Sequence, residues 1–535
     1  MKGAKKRSSA MIPSLFIAIL LLCICSQQIY AAEPKKVPSK APPIAKAPVP
    51  RYGGTLRIAD MTDGAMIGYP PKLLRVYAAR QVAPAVETLF RTDQSAKPVP
   101  WLVAGFKEDA KTKTITLTLK KGIKFHDGTD FNAEAVKWNL DQCMAEKTAG
   151  TEKFKSVDVI DTFTVRISLT EWDNTVLTNL AQTIGMIVSP TACEKNGEDW
   201  CASHPVGTGP FQFVSWDKDV RTVYKKFDGY WQKGKPYLDG IVWTPIADPL
   251  TRLLSFRKGE VDLALTVPGK DIPGLEKDGF VITRRKPGSG IGSLIPDSAN
   301  PNSPFAKLKV RQAVQYAIDN NTIAMKVWNA EGEPATQWAY KGHWAYNPAV
   351  VSYPYNPAKA KKLLAEAAYP NGFSTKITYR ANPDTDRVYT AVQAYLKEIG
   401  IDVQLEPVQT ARLAQITSEG GKWEGMVPGP VSPNPDVAAM LAARLNGGGM
   451  FYSQMLLPED YSAAINKAIT APTFKEKQKW TQQVMKLMID KYCLQITLHC
   501  STDLSASKPS LHNHGFLGTP NTGWWTPEEA WMETP

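Results

Sequence analysis

Residues 205–262 read PVGTGPFQFVSWDKDVRTVYKKFDGYWQKGKPYLDGIVWTPIADPLTRLLSFRKGEVD. The segment 241–245 is predicted to be a strand and 250–257 a short helix with one apolar face. Gly259 ends this helix, and a second strand follows at 261–265. A strand, a crossover helix and another strand build a parallel sheet covered on both faces. The stretch therefore predicts an α/β fold.

Two glycines stand at the beginning of this stretch. Gly207 and Gly209 flank Thr208 directly before Pro210. This spacing is typical of a tight backbone path, because glycine tolerates conformations and close approaches that other residues do not. An alternating strand is predicted to begin just after it, at 211–213.

A second crossover unit is predicted later in the chain. The segment 377–379 is a short strand, 387–399 is a helix with one apolar stripe, Gly400 ends that helix, and 401–408 is another strand. With 535 residues the chain is too long for one compact core. The second unit is therefore expected to belong to a separate lobe.

The first 32 residues have the layout of a secretory signal peptide. Basic residues within 2–7 precede the apolar run 15–25 and the small residues Ala31 and Ala32. The run is shorter than the ~20 residues that a membrane-spanning helix needs. We expect export and release near Ala31 or Ala32, which gives a periplasmic or other extracytoplasmic protein.

Anchoring as a lipoprotein is the less favoured alternative. It would use Cys23 or Cys25, but the residues before both cysteines are larger than those such processing sites usually carry. Residues 33–50, EPKKVPSKAPPIAKAPVP, predict an extended tether rich in proline and lysine.

The charge of the chain does not indicate nucleic-acid binding. The net charge is +12 at pH 7, but part of it lies in the signal and the linker. No long basic run follows residue 51, and no second apolar run of membrane length is present in the sequence. The mature protein is expected to be soluble and to have no nucleic-acid partner.

Five cysteines remain after cleavage near Ala32. Cys193 and Cys201 bracket the polar loop EKNGEDW, which closes easily in an oxidising compartment. We expect a disulfide between them. The pattern does not decide whether Cys143, Cys493 and Cys500 are free.

Other stretches are informative together with residues 205–262. They are VETLF (86–90) with KGIKFHDGTDFNAEAV (121–136), SPFAKLKVRQAVQYAIDNNTI (303–323) and WTPEEAW (525–531). In this order they resemble family 5 of the bacterial extracellular solute-binding proteins, the oligopeptide, dipeptide and nickel receptors of ATP-driven importers.

The resemblance implies an α/β, two-lobed periplasmic binding protein of the Venus-flytrap type, with an extra subdomain inserted in the first lobe. Lobe I is expected from 51–86, 200–288 and 500–535, the inserted subdomain from 87–199, and lobe II from 289–499. The lobes are expected to close on a ligand in the cleft between them.

The resemblance also implies partners. The closed form is expected to be recognised by a membrane permease, whose ATPase subunits supply the energy. The chain itself has no phosphate-binding loop of the Gly-x-x-x-x-Gly-Lys-Ser/Thr type. A monomer without a cofactor is expected.

Several ligand-binding residues are predicted from the family's cleft segments and from the aromatic pattern. Arg75, Tyr77, Thr266 and Gln409 match cleft positions. Trp338 and Tyr340 lie in an aromatic-rich stretch and are expected to line the cleft mouth, because aromatic rings offer a large contact area with one polar tip.

Arg380 is predicted separately to bind the ligand. It follows the strand 377–379 directly, and ligands bind at strand ends in open sheets. A guanidinium there is suited to a two-pronged contact with a ligand carboxylate.

The anchor for a peptide amino terminus is missing. Peptide-binding members carry a Trp-x-x-Asp stretch before an Asp-Pro step. Aligning that step with residues 434–435 places Pro428 at the tryptophan and Val431 at the aspartate. Met426, Pro428 and Val431 are then expected to form an apolar wall, which disfavours a buried ammonium group. A short peptide, the default of the family, therefore loses weight to other small organic solutes, and both kinds of cargo stay open.

Asp436 has two interpretations. It either replaces the missing anchor or caps a helix at 437–445. Both stay open from the sequence.

Two alternatives to an importer component stay open from the sequence: a secreted hydrolase on a similar scaffold and a receptor that hands its ligand to a sensor. Ser505 and Lys508 fit the Ser-x-x-Lys pattern of penicillin-binding enzymes, but the companion motifs are missing. His126 and Asp127 adjoin in a predicted turn without a nucleophile nearby. No catalytic residue is predicted.

A metal site is not predicted either. His512 and His514, with His499 upstream, lack a further ligand at a suitable spacing.

Overall fold

The computed structural model describes residues 49–72, 76–285, 290–327, 331–418, 420–429, 436–446, 449–517 and 525–533. The predicted signal peptide, nearly all of the linker, Arg75 and Val431 lie outside these residues. Within the described ranges, none of the helices has both the length and the apolar character to span a bilayer.

The strands fall into sheets that share no strand with one another. In chain order they are β1 (Thr55–Asp60), β2 (Glu87–Thr88), β3 (Phe90–Thr92), β4 (Pro98–Pro100), β5 (Val103–Asp109), β6 (Thr114–Leu119), β7 (Phe154–Asp161), β8 (Thr164–Leu169), β9 (Met186–Ile187), β10 (Phe211–Asp217), β11 (Arg221–Lys226), β12 (Gly240–Pro245), β13 (Leu263–Leu265), β14 (Val281–Arg284), β15 (Gly290–Pro296), β16 (Glu333–Pro334), β17 (Phe373–Arg380), β18 (Ile401–Val408), β19 (Met426–Pro428), β20 (Ile496–Ser501), β21 (Leu504–Ser507), β22 (Leu511–His512) and β23 (Trp531–Met532).

The helices cover these sheets. They are α1 (Val76–Val82), α2 (Ala133–Ala145), α3 (Val176–Asn179), α4 (Pro190–Asn196), α5 (Glu198–Ser203), α6 (Pro249–Arg257), α7 (Ile272–Lys277), α8 (Leu308–Ala317), α9 (Asn320–Thr322), α10 (Pro357–Glu366), α11 (Pro383–Glu398), α12 (Thr410–Thr417), α13 (Val437–Leu445), α14 (Glu459–Ile469) and α15 (Phe474–Lys486).

Lobe I is built on the sheet β10-β11-β12-β1-β13-β21-β14. The central strand β1 pairs in parallel with β12 on one side and with β13 on the other. Helix α6 makes the crossover between them: Asp248 caps its first turn, and Leu253 and Phe256 are buried on its inner face. The predicted parallel crossover unit is confirmed.

The predicted tight path at Gly207 and Gly209 is also present. Gly209 N donates to Ala85 O at 3.0 Å. A Cβ on Gly207 would lie 2.2 Å from the same carbonyl oxygen, and one on Gly209 would lie 2.5 Å from Pro84 O. Only residues without a side chain allow this approach.

The inserted subdomain is built on the antiparallel sheet β5-β6-β8-β7. Helix α2 begins after Asn132, whose side chain accepts from Ala135 N. Its buried stripe of Val136, Leu140 and Cys143 packs into the apolar core of this sheet.

Lobe II is built on the sheet β16-β20-β15-β19-β17-β18. Strands β17 and β18 pair in parallel along their full length, and α11 connects them. Gly400 ends the connection with φ 87°, where an L side chain would be strained. The second predicted crossover is confirmed, and so is the two-lobed fold with an inserted subdomain. The residue bounds expected for the three parts stay a prediction.

The polypeptide passes between the two lobes in neighbouring segments. One follows β14 and leads to β15, and the other joins β20 to β21. Arg285 N donates to Asp503 O at 3.0 Å, so the two segments are hydrogen-bonded where they cross. The pair of crossings, at Arg285 and Asp503, is called the hinge region below.

The structure joins Cys193 and Cys201 by a disulfide that links α4 to α5. Cys143, Cys493 and Cys500 are buried. Burial raises the pKa of Cys143 and of Cys493 to about 12, so these two thiols are protonated at neutral pH.

Candidate functional site

The parallel strands of lobe I end at one edge of its sheet. β1 ends at Asp60, β12 at Pro245 and β13 at Leu265. Thr266 follows β13 with φ 55°, an uncommon conformation for a β-branched residue. Arg252 Nη2 holds it by donating to its carbonyl oxygen at 2.9 Å. Strained backbone of this kind is concentrated at ligand-binding sites.

The parallel strands of lobe II also end together. β17 ends at Arg380, β18 is followed by Gln409, and β19, which is parallel to β17, ends at Pro428. Gln409 is exposed and precedes α12 without a side-chain capping bond. The structure thus brings Arg380, Gln409 and Pro428 to one edge, where open α/β sheets bind ligands.

Arg380 presents its side chain to solvent at this edge. Thr385 Oγ1 donates to its carbonyl oxygen at 3.0 Å, which ties the strand end to the first turn of α11. Among the described residues no carboxylate forms an ion pair with its guanidinium. The guanidinium is therefore available to a ligand carboxylate.

The aromatic stretch lies between lobe II and the inserted subdomain. Trp338 is 3% exposed and its indole N–H has no hydrogen-bond partner among the described residues. Tyr340 is half-buried, and burial raises its pKa although Arg285 opposes the shift. Trp344 N donates to Ser95 O at 3.3 Å, across to the inserted subdomain.

Three other predicted ligand-binding residues are buried or have side chains outside the described set. Met426 is fully buried in the core of lobe II and faces that core instead of a cleft. Asp436 is 1% exposed; it accepts from Ala439 N at 3.0 Å as the cap of α13 and pairs with Lys477. The capping interpretation of Asp436 therefore describes this structure. Tyr77 lies in α1, and its side chain lies outside the described set.

A charged network near the hinge was missed by sequence reasoning. Asp60 is completely buried and lies 3.7 Å from Arg80, and Arg285 lies 3.2 Å from Asp503. Burial raises the pKa of Asp60, while Arg80 lowers it. One feature of the sequence could have indicated this network: Asp60 is an acidic residue at the end of a largely apolar strand.

A second ion pair lies beside this network. Arg284, the last residue of β14, contacts Glu331 at 2.8 Å through both Nε and Nη2. Because Arg284 belongs to lobe I and Glu331 to lobe II, the pair links the lobes next to the hinge.

The possible catalytic groups are engaged in structural contacts. Ser505 is 1% exposed in the lobe I sheet, and Lys508 Nζ contacts Asp262 at 2.7 Å. His126 Nε2 bonds to Gly209 O at 2.9 Å instead of to the adjacent aspartate. The described residues hold no group of three or more side chains that could bind a metal ion.

Burial lowers the pKa of His126 to about 4. An unfolded chain has a histidine pKa of about 6.5. Between these values only the unfolded state binds this proton, so the folded state loses stability as the pH falls through the window.

We expect His126→Gln to reduce the pH dependence of unfolding. The slope of the free energy of unfolding against pH gives the number of protons taken up on unfolding. Between pH 6.5 and 4 this number should be smaller by about one in the variant than in the unmodified protein. Urea denaturation at several pH values measures it. A slope unchanged by the substitution would show that His126 titrates normally in the folded protein.

The two lobes, each with parallel strands that end together at one edge of its sheet, are the fold of a two-lobed ligand-binding protein. The family model for bacterial extracellular solute-binding proteins, family 5 Middle, matches residues 97–452. The glutathione-binding protein GsiB of Shigella flexneri is 35% identical over 348 residues, which cover 63% of this chain and 67% of that protein.

Solved structures agree on the fold. A periplasmic binding protein, DppA from Helicobacter pylori in complex with the peptide STSA, has a TM-score of 0.71 at 23% identity and covers 90% of this chain and 99% of its own. The substrate-binding protein CtaP from Listeria monocytogenes has a TM-score of 0.80 at 19% identity and covers 90% of this chain and 100% of its own.

The chain belongs to family 5 of the bacterial extracellular solute-binding proteins. It is the substrate-binding component of an ABC importer, which captures a small solute between its lobes and delivers it to a membrane permease.

Proposed function

We propose that the cargo is a short peptide of the glutathione type, or a closely related small solute that carries carboxylates. Relatives that are 34–35% identical over 348 residues are glutathione-binding proteins by name. Glutathione is a tripeptide with two carboxylates and one ammonium group, so its recognition calls for a cationic anchor.

Arg380 carries the proposal. Its exposed guanidinium at the end of β17 is without an ion-pair partner among the described residues. Arginine binds carboxylates through two parallel hydrogen bonds, which fixes orientation as well as charge. Gln409 and Thr266 are proposed to contact the same ligand from neighbouring strand ends of lobe II and lobe I.

The surroundings of Asp436 support a cargo selected through its carboxylates. Asp436 already pairs with Lys477 and caps α13, so it is not available as an anchor for a ligand ammonium group. Pro428, at the position of the family tryptophan, offers no charge. An ammonium group buried against this segment would lack a partner, which is costly.

The aromatic residues are proposed to supply contact area and one directed bond. Trp338 has a buried indole N–H without a partner in the described part of the chain. Such a group is satisfied when a ligand carbonyl or carboxylate reaches it. Tyr340, half-buried beside Arg285, is proposed to complete this wall. Arg75 and Tyr77 stay predicted ligand-binding residues.

Calorimetric titration of Arg380→Ala tests the assignment. We expect affinity for glutathione to fall about 30-fold, since a hydrogen bond to a charged group contributes about 2 kcal/mol. Arg166→Ala is the matched control: Arg166 is exposed on β8 of the inserted subdomain and should leave affinity unchanged. Equal affinity of Arg380→Ala and the unmodified protein would remove Arg380 from the site.

We propose further that the protein is exported, released near Ala31 or Ala32, and monomeric, and that it returns its cargo chemically unaltered. The layout of residues 1–32 supports export. The intact mass of protein recovered from the periplasm gives the cleavage point; a mass that retains residues 1–22 would contradict release.

A further inference from the structure

The inserted subdomain contacts lobe II through the loop that joins β8 to α3. Trp172 Nε1 donates to Ala471 O at 3.1 Å. Asn174 Nδ2 donates to Ala468 O and to Ala471 O, both at 2.9 Å, and Asn174 N donates to Ile469 O at 3.2 Å. These hydrogen bonds all cross from the inserted subdomain to one short stretch of lobe II.

The acceptors belong to the C-terminal end of a helix. Ala468 and Ile469 are the last two residues of α14, and Ala471 comes one residue after the C-cap Thr470. The last carbonyl groups of an α-helix have no partner within the helix. Asn174 therefore caps α14 from another part of the molecule, and water can take its place when the two surfaces separate.

A buried ion pair lies beneath this contact. Lys477 Nζ donates to Asn174 O at 3.1 Å and also to the carboxylate of Asp436. Lys477 and Asp436 both belong to lobe II, so separation of the surfaces leaves the charged pair intact. The bonds that are then exchanged for bonds to water are the neutral ones from Trp172 and Asn174 and the one from the Lys477 ammonium to Asn174 O. The net change for each such exchange is small compared with loss of a buried ion pair.

The surrounding contact is incompletely packed. Ala96 of the inserted subdomain is fully buried in the apolar cluster of lobe II, and Lys97 lies over the Phe474 ring at 5.1 Å. A cavity of about 50 Å³ nevertheless remains between the two surfaces, with Trp172 and Trp344 in its walls. Such a contact holds without the tight packing of a permanent core.

We propose that Trp172 and Asn174, together with their acceptors at the end of α14, form a releasable clasp. The clasp holds the inserted subdomain against lobe II when the lobes are closed and thereby sets the ratio of closed to open molecules. This gives the inserted subdomain a function in ligand retention. The proposal depends on the two-lobed clamp and on no particular cargo.

Distance measurements between spin labels test the clasp in the ligand-free protein. Labels are attached to cysteines placed at Glu152 and Lys475, which are exposed on the inserted subdomain and on α15. The remaining native thiols are buried. We expect a short-distance population, and Asn174→Ala should lower its ratio to the long-distance population about tenfold, which corresponds to about 1.4 kcal/mol.

A second variant and a control make the result specific. Trp172→Phe keeps an aromatic ring but removes the indole N–H that donates to Ala471 O. It should therefore lower the ratio of short-distance to long-distance molecules, but by less than Asn174→Ala. Asn196→Ala removes an amide that donates only within α4, and it should change the ratio less than twofold. A ratio in Asn174→Ala within twofold of the unmodified protein, or a decrease matched by Asn196→Ala, would overturn the clasp. Neither outcome bears on the glutathione proposal.

Discussion

Glu87→Ala is expected to lower the free energy of unfolding by about 4 kcal/mol, among the largest effects of any single substitution in this protein. Glu87 is 1% exposed. Its Oε1 accepts from Trp101 Nε1 at 2.8 Å and from Tyr230 Oη at 2.9 Å. Its Oε2 accepts from Thr208 Oγ1 and from Trp231 Nε1, both at 2.9 Å. Truncation would leave these four donors, those of Thr208 and Tyr230 buried and those of Trp101 and Trp231 partly buried, without their acceptor.

The loss also affects the charges around Glu87. Arg91 lies 3.8 Å from its carboxylate and contacts Glu528 at 2.7 Å. Burial raises the pKa of Glu87, while Arg91 and the donated hydrogen bonds lower it. Because Thr208 and Trp231 belong to lobe I, the cluster fixes the inserted subdomain to that lobe.

Urea denaturation followed by tryptophan fluorescence measures the effect. Glu194→Ala is the control, since Glu194 is exposed on α4, and we expect its change to stay within about 0.5 kcal/mol. If Glu87→Ala were as stable as Glu194→Ala, the buried cluster would not contribute to the fold.

Gly207→Ala is expected to lower the free energy of unfolding by about 3 kcal/mol, because there is no space for the added methyl group. A Cβ at Gly207 would lie 2.2 Å from Ala85 O and 2.8 Å from Val86 Cα. Both atoms belong to backbone, which cannot move aside as a flexible side chain does. His126 N also donates to Gly207 O at 2.9 Å, so the segment is held from a second side.

Gly105→Ala is the matched control for this substitution. A Cβ at Gly105 would have no neighbour within 4 Å. We expect its thermal midpoint to match the unmodified protein, while Gly207→Ala melts well below it. A Gly207→Ala protein that melts together with Gly105→Ala would show that the backbone relaxes there at little cost.

Local periodicity was sufficient to predict the two crossover units. The strand, helix and strand of 241–265 and of 377–408 carry apolar spacing that matches their structures, and Gly400 ends α11 as its position indicated. The tight path at Gly207 was predictable because only glycine fits so close to another backbone segment. The cysteine spacing also predicted a short loop that the structure closes with a disulfide.

Contacts between distant segments could not be predicted from the sequence. Glu87 pairs with side chains more than a hundred residues away, and VETLF gives no indication of those partners. Asp436 had two interpretations because its choice depends on Lys477, which lies 41 residues further along. A methionine is equally suited to an apolar cleft wall and to a protein core. The sequence therefore did not show that Met426 belongs to the core of lobe II.

The candidate site was predictable in part for a physical reason. Arg380, Gln409 and Pro428 each follow a parallel strand, and parallel strands bring their carboxyl ends to one edge. Which of these side chains touches the cargo depends on how lobe I faces that edge, and no periodic pattern encodes this.

Calorimetric titration of glutathione into the purified protein, followed by analysis of the released molecule, tests the central claim most directly. We predict saturable binding to one site per chain, a negative heat-capacity change from the burial of ligand and lobe surfaces, and recovery of intact glutathione. Absence of binding to glutathione and to di- and tripeptides, or recovery of hydrolysed fragments, would contradict the account.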